Sequence, residues 1–258
     1  MSEPITKLYP RHEELPLEGI FLQHALHQRH QHQQPFVYTN YIASLDGRIA
    51  VADPLMSEHK VPDTITNRRD WRLYQELAAQ ADVLITSARY IRQLVKGSAQ
   101  DVLPLGNDKA YADLHAWRRA QHLPSQPAVV ILSSGNDLPL AQVYERLDRT
   151  VYVAAGEEAA KTLRGPVEKL GGKLLSAGSG KWVNGKHLID ALAGEGFRSI
   201  YSIAGPQVFK TLLDSHVLNR LYLTQVHRLI GGASYDTLLE TDLGNTADLK
   251  LAELYYDS

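Results

Sequence analysis

Residues 199–232 read SIYSIAGPQVFKTLLDSHVLNRLYLTQVHRLIGG, and the topology of the chain builds outward from them. Ser199–Ile203 is a short apolar run of strand type. Ala204-Gly205-Pro206 turns directly into an amphipathic segment, Pro206–Asp214, whose proline suits the first helical position. Arg220–Val226 is strand-like again. A strand, a tight turn, a helix and a second strand make a βαβ unit. The turn also has a chemical side. Helix N-termini leave backbone N–H groups without partners, and Ala204 and Gly205 allow close backbone approach, so the turn suits a phosphate. A plain strand–helix turn accounts for the same residues.

The rest of the chain repeats the alternation. Phe36–Ser44 (FVYTNYIAS) is β-branched and aromatic and ends at the turn signal Asp46-Gly47. Thr66–Gln80 reads as a helix, with Trp71, Tyr74, Leu77 and Ala78 on one face and Asn67 or Thr66 as N-cap. Strands are predicted at Asp82–Thr86, Ala128–Ser133, Thr150–Ala154 and Lys173–Leu175. Helices are predicted at Ala88–Val95, Lys109–Gln121, Glu157–Leu170 and Gly185–Gly194, the third bent or broken at Gly165-Pro166. Asp248–Tyr255 is expected as a last edge strand. Strands separated by helical segments imply crossovers, hence an α/β, three-layer fold with a mostly parallel central sheet and helices on both faces.

Composition narrows the function. The 258 residues are 44% hydrophobic with a formal net charge of −2, which supports a proper core and argues against a nucleic-acid binder. With no cysteine, thiolate zinc sites, iron–sulfur clusters and cysteine nucleophiles are excluded. Apolar runs such as Ala128–Leu132 are strand-sized, and MSEPITKLYPRHEE lacks a signal-peptide core, so no membrane role and a cytoplasmic location are expected. Residues 1–35 read as a polar, proline-punctuated arm with one short helix around Leu17–Gln28, and 36–258 as the main domain. His24, His27, His30 and His32 sit at spacings that could suit a metal, but the stretch reads as a solvated, polar linker; no metal is expected, because catalytic sites usually add a carboxylate and a dry pocket.

Several common motifs are missing. Gly178-Ser-Gly180-Lys181-Trp182 fails the spacing of a P-loop, and Trp182 replaces its hydroxyl residue. No G-x-G-x-x-G follows the first strand, and neither G-x-S-x-G nor HExxH occurs.

Taken together, three segments resemble the bacterial riboflavin-biosynthesis pyrimidine reductase family, which has the dihydrofolate-reductase-like fold. They are Ile42-Ala-Ser-Leu-Asp-Gly-Arg-Ile-Ala50, Val129-Val-Ile-Leu-Ser-Ser134, and the Ala204-Gly205-Pro206 turn with Leu221-Tyr-Leu-Thr224 and Gly231-Gly232. The similarity runs in order from about Pro35 to Glu240. It implies an NADPH site across the sheet edge. Ala43 would lie against the nicotinamide and Ser133 and Ser134 against the adenosine ribose or its phosphate. Ala204, Gly205, Pro206, Gln207, Val208 and Phe209 would wrap the pyrophosphate. Ser87 and Arg89 would stand where a basic phosphate ligand is expected, Arg89 selecting NADPH over NADH by its guanidinium geometry unless it is a solvated surface arginine. Asp46 would orient substrate or serve only its turn, and Thr224 would face the pocket; these two are the candidate catalytic residues. Asp70 and Glu76 lie on the helix where the resemblance to dihydrofolate reductase would place a pterin-binding acid; flanked by Arg68, Arg69 and Arg72, they read rather as a solvated helix face. A homodimer formed through an edge strand such as Asp248–Tyr255 is expected.

The chain also departs from the family. Asn40 stands where a lysine is usual, Ile203 where E-G-G-P has glutamate, and Thr86–Leu94 lacks the G-x-x-T-V-x-x-D-D-P run. A fused zinc deaminase cannot exist without cysteine. The expected function is therefore an NADPH-dependent reductase of a small-molecule substrate, a ribosylamino-pyrimidine or another heterocycle, with altered substrate contacts. The alternatives are a non-catalytic nucleotide-binding or interaction protein, or a reductase of an unrelated carbonyl or pterin.

Overall fold

The computed structural model describes residues 3–32, 34–52, 59–99, 103–135 and 137–257. Its central sheet has seven parallel strands: β3 (Phe36–Ser44), β6 (Val83–Ser87), β7 (Ala128–Leu132), β8 (Val151–Ala155), β9 (Lys173–Ser176), β10 (Ser199–Ser202) and β11 (Arg220–Val226). Their order across the sheet is β11-β3-β10-β6-β7-β8-β9. The strand sequences are nearly continuous apolar runs because a parallel sheet is covered on both faces. Leu84, Val129, Ile131, Val153 and Tyr201 point to one side. There they meet α1 (Arg68–Ala79), α2 (Ala88–Lys96), α4 (Leu140–Arg146) and α5 (Glu157–Lys169). Their neighbours Val83, Ile85, Val130, Ala154 and Ile200 point the other way, onto α6 (Gly185–Gly194) and α7 (Pro206–Asp214). Each fully buried aliphatic side chain contributes about 1.5–3 kcal/mol. The three-layer α/β architecture expected from the alternation is the one observed.

Local rules place the helix starts. Asn67 Oδ1 accepts the N–H groups of Arg69 and Asp70 at 2.9 and 2.8 Å, so Asn67, not Thr66, caps α1. Helix α3 (Ala112–Ala120) follows a single 3-10 turn at Lys109–Tyr111, which takes the first part of the predicted Lys109–Gln121 helix. The buried guanidinium of Arg118 on α3 donates to the carbonyls of Ala79, Ala81 and Pro124 at 2.7–2.8 Å, binding α3 to the end of α1. Helix α5 runs through Gly165-Pro166 without the break that is one of the two expected outcomes there. Leu163 and Val167, both buried against the sheet, hold its last turns despite the proline. Helix α4 had no counterpart in the sequence reading; it is seven residues long and begins without a side-chain cap.

The N-terminal stretch is not a solvated linker. It forms β1 (Ile5–Tyr9), β2 (Glu13–Leu15) and two 3-10 turns, Leu22–His24 and Leu26–Gln28, in place of one helix over Leu17–Gln28. Leu17, Ile20, Phe21 and Leu26 are buried in the main core. What reads as polar in composition places its few apolar residues on one side, and α1 supplies the bonds its backbone needs. The carboxylate of Glu76 accepts the N–H groups of Gly19 (2.5 Å) and Phe21 (3.0 Å) and the Nε–H of Arg72 (2.6 Å). Gln80 accepts from Leu26 N–H (2.8 Å) and donates to Phe21 O (2.9 Å). Glu76 is thus fully buried, which corrects the solvated-face reading.

The C-terminus also differs from expectation. Among the described residues the one strand there is β13 (Leu254–Tyr256), and it joins β1 and β2 in a separate sheet of order β13-β1-β2. His24 links the two ends: Nε2–H donates to Glu253 at 2.8 Å, and Nδ1 lies 2.7 Å from the hydroxyl of Tyr222 on β11. A third small sheet, β12-β4-β5, unites β4 (Ala50–Ala52), β5 (His59–Lys60) and β12 (Tyr235–Asp236).

Replacing Glu76 with alanine leaves the Arg72 Nε–H and the amides of Gly19 and Phe21 without their acceptor. We expect Glu76→Ala to destabilise the fold by about 3–5 kcal/mol in urea unfolding. A loss below about 1 kcal/mol would show that the N-terminal segment is held by its apolar contacts alone.

Candidate active site at the carboxyl edge of the sheet

Strand β10 is inserted between β3 and β6, which are consecutive in the run toward β9, so the sheet has a topological switch point there. Crevices at the carboxyl ends of such strands are where open α/β sheets bind ligands. A cavity of about 550 Å³ lies at this position, the size of a small-molecule site. Its walls come from the ends of β3, β6 and β10, from the first turns of α1, α2 and α7, and from the small sheet.

The β10–α7 turn contributes Ala204, Gly205 and Pro206. Gly205 is the N-cap of α7 and makes no side-chain capping bond; Pro206 carries no N–H and the Val208 N–H donates to Gly205 O at 3.1 Å, so among the described residues the amides of Gly205 and Gln207 are the ones left for other partners. A Cβ built on Gly205 meets nothing within 4 Å, so the space above the turn is open. Tyr41 on β3 fastens the turn by donating its hydroxyl to Ala204 O at 2.7 Å. Burial pushes the Tyr41 hydroxyl pKa up, keeping it a donor. Beside it, the Tyr201 hydroxyl donates to Asn40 Oδ1 at 2.5 Å.

The β6–α2 junction contributes Ser87 and Arg89. Ser87 Oγ accepts Tyr90 N–H at 3.3 Å and so caps α2. Arg89 is exposed, and among the described residues it makes no ion pair. From α1 come Asp70, Trp71 and Tyr74. Asp70 Oδ1 accepts the hydroxyl of Thr224 at 2.5 Å, so β11 orients a carboxylate in the cavity wall. The small sheet adds His59, Lys60 and Asp236. His59 Nδ1–H donates to Asp236 Oδ1 in a short bond, and Nε2 lies 2.8 Å from Ser234 Oγ.

Asp46 has a different task. It accepts the Ser44 hydroxyl at 2.5 Å, the Arg48 guanidinium at 2.5 Å and Gly231 N–H at 2.9 Å. These bonds, the Ser44 hydroxyl first, hold its carboxyl down to about 2. It therefore stays ionised and pins the turn after β3, where Gly47 takes φ +80°, to the loop after β11.

Ser87, Arg89, Ala204, Gly205 and Pro206 are thus brought to one cavity. Asp46, Ala43, Ser133, Ser134, Gln207, Val208, Phe209 and Thr224 are not among its lining residues. Ala43 and Phe209 are buried together with Tyr41 and Ile49, and Val208 packs on the other core. Ser133 is buried, its hydroxyl donating to Gly135 O at 2.8 Å. Thr224 reaches the cavity only through Asp70. Asp70 corrects the solvated-face reading, because it and Trp71 sit on the side of α1 that meets the cavity. His59 and Asp236, 177 residues apart, carried no signal along the chain. Among the described residues, no group of three or more His, Asp or Glu is placed to hold a metal. No helix among them is long and apolar enough to cross a membrane.

This geometry can be set beside known proteins. The model of the RibD C-terminal domain matches residues 35–257. No curated protein matches the sequence significantly. A crystal structure of a pyrimidine reductase-like protein from Corynebacterium diphtheriae is similar, with TM-score 0.57 and 19% identity over 84% of each chain. The riboflavin biosynthesis reductase Rib7 of Saccharomyces cerevisiae gives TM-score 0.53 and 17% identity, over 87% of this chain and 89% of that one. RibD of Acinetobacter baumannii gives TM-score 0.57 and 19% identity over 84% of this chain and 52% of its own, so this chain spans about half of that protein. These likenesses establish the dihydrofolate-reductase-like fold, and the match over residues 35–257 establishes the lineage: the chain belongs to the RibD C-terminal domain family.

Proposed function

We propose that the protein is an NADPH-dependent reductase acting on a ribosylamino-pyrimidine or a related small heterocycle. The observation that carries this reading is the uncapped, open N-terminus of α7 sharing one cavity with Arg89 at the switch point of the sheet. Those residues fit a pyridine dinucleotide. The amides of Gly205 and Gln207 at the start of α7 suit its pyrophosphate, and Arg89 suits a phosphate on the ribose. When bound, the reduced nicotinamide supplies a hydride, so the protein needs no nucleophile of its own. The task of the chain is to hold donor and acceptor in register and away from bulk water. Tyr41 fixes the turn, and Trp71 and Tyr74 give the cavity apolar walls.

The substrate side is built from Asp70, oriented by Thr224, and from Asn40 and Ile203, all but Thr224 lining the cavity. A carboxylate held by a hydroxyl is suited to accept N–H donors from a heterocycle. Asn40 and Ile203 are neutral where the pyrimidine reductases carry lysine and glutamate, which supports an altered substrate preference. The same neutrality favours, as a second reading, a nucleotide-binding protein without turnover. Among the described residues β11 pairs with β3 alone and exposes Leu223, while Leu229 beyond it is 71% exposed. We place the homodimer contact on this open edge.

Three measurements follow. Gly205 has φ −73°, so Gly205→Val should fold normally while NADPH affinity falls more than about tenfold in a nicotinamide-fluorescence titration. Unchanged affinity would move the site elsewhere. Arg89→Ala should weaken NADPH by about 10–100-fold and NADH little; equal losses would remove its role at the phosphate. Sedimentation should show a dimer that Leu223→Asp converts to monomer, whereas a dimer untouched by that change would place the interface on another surface.

A further inference from the structure

Reduction of a C=N or C=O group needs a proton as well as a hydride, and the hydrogen-bonded groups on the small-sheet wall of the cavity are arranged to hold one. We propose that His59, oriented by Asp236, is the general acid of the reaction; this rests on the reductase reading above. Both side chains line the cavity, although they come from strands far apart in sequence. Asp236 binds Nδ1–H, so the ring is fixed in position and Nε2 is the atom left to exchange a proton. The present partner of Nε2 is the exposed hydroxyl of Ser234 at 2.8 Å, a neutral group that a substrate atom can replace at little cost. The order Ser–His–Asp is also that of acyl-transfer enzymes. In the adjoining turn, however, the N–H groups of Ile230 and Gly231 are already bonded to Asp46, which favours proton transfer over oxyanion binding.

The surrounding charges fit an acid. Asp236 faces His59 directly, and Glu240 shares a hydrogen bond with Asp236. Partial desolvation first, then the Asp236 carboxylate, raise the Glu240 carboxyl above its ordinary range. Arg89 from α2 acts on Glu240, and Lys60 neighbours His59 on its own strand. Arg48 and Tyr235 are turned to each other, with the guanidinium 4.2 Å from the ring centre. Among the described residues the one carboxylate bonded to the imidazole is Asp236.

The step balances. The hydride, with its two electrons, bonds to the substrate carbon while the π pair moves onto the nitrogen or oxygen. That atom takes the proton from Nε2, the N–H bond of His59 breaks, and the neutral imidazole regains a proton from water. The reduced dinucleotide is the species oxidised.

The test uses the whole protein with NADPH and 5-amino-6-(5-phosphoribosylamino)uracil, the acceptor named for a Thermotoga maritima relative. His59→Gln should lower kcat by at least about 100-fold and leave the Kd of NADPH within about threefold. Asp236→Asn should lower kcat by about tenfold or more with the Kd of NADPH likewise unchanged. In NMR without cofactor, the His59 Nδ1–H resonance, identified by its loss in His59→Gln, should leave its wild-type position in Asp236→Asn. An active wild type with His59→Gln within threefold in kcat, or an Nδ1–H resonance unmoved by Asp236→Asn, would overturn the inference and leave the reductase reading standing. Wild-type protein that does not oxidise NADPH with this acceptor would overturn the reductase reading, and the inference with it.

Discussion

A buried carboxylate joins the N-terminal segment to the body of the protein. Glu76 sits on the sheet-facing side of α1, accepts two backbone amides from the segment before β3, and is neutralised by Arg72. A parallel sheet must be covered on both faces, and α1, α2, α4 and α5 do not cover this face alone. Leu17, Ile20, Phe21 and Leu26 complete the layer. Their backbone groups would be costly to bury without acceptors, and Glu76 and Gln80 provide them. Arg72 extends the same network to Asp113 on α3, so one ionic cluster links the N-terminal segment, α1 and α3.

The candidate site has the opposite character. Its frame is rigid: Tyr41 to Ala204, Tyr201 to Asn40, and Asp46 to Gly231 tie together segments that end at the carboxyl edge. Within the frame, the groups facing the cavity are left with spare bonding capacity, notably the uncapped start of α7 and the guanidinium of Arg89. Satisfied frame bonds and unspent site bonds are what a preorganised binding site requires, since the frame then costs nothing to reorder when a ligand arrives.

How much of this was readable along the chain depends on the range of the interaction. The Ala204-Gly205-Pro206 turn, the cap of α1 within Thr66-Asn67, and the strands of the central sheet are local features, and each was found close to its place. The same holds for Asp46, whose position before glycine signalled a turn. Glu76 was misread because three arginines around it suggested solvent; only one of them, Arg72, is buried with it. Pro166 was weighed by its own propensity, yet the burial of Leu163 and Val167 outweighs that cost. Residues 1–35 were judged by composition, which averages over the few apolar side chains that matter.

The sequence by itself determined the class of fold, the direction of the sheet and the position of the anion-suited turn. All of these follow from hydrophobic period, glycine and proline placement, and backbone N–H groups within a few residues of each other. Only the tertiary structure decided which side chains share the cavity. It set Asp70 against Thr224 and His59 against Asp236, and it sent Phe209, Val208 and Ser133 into the core or a local turn. The physical reason is that side-chain direction at a strand or helix end depends on strand order and register, and a single residue of register reverses the face to which a side chain points.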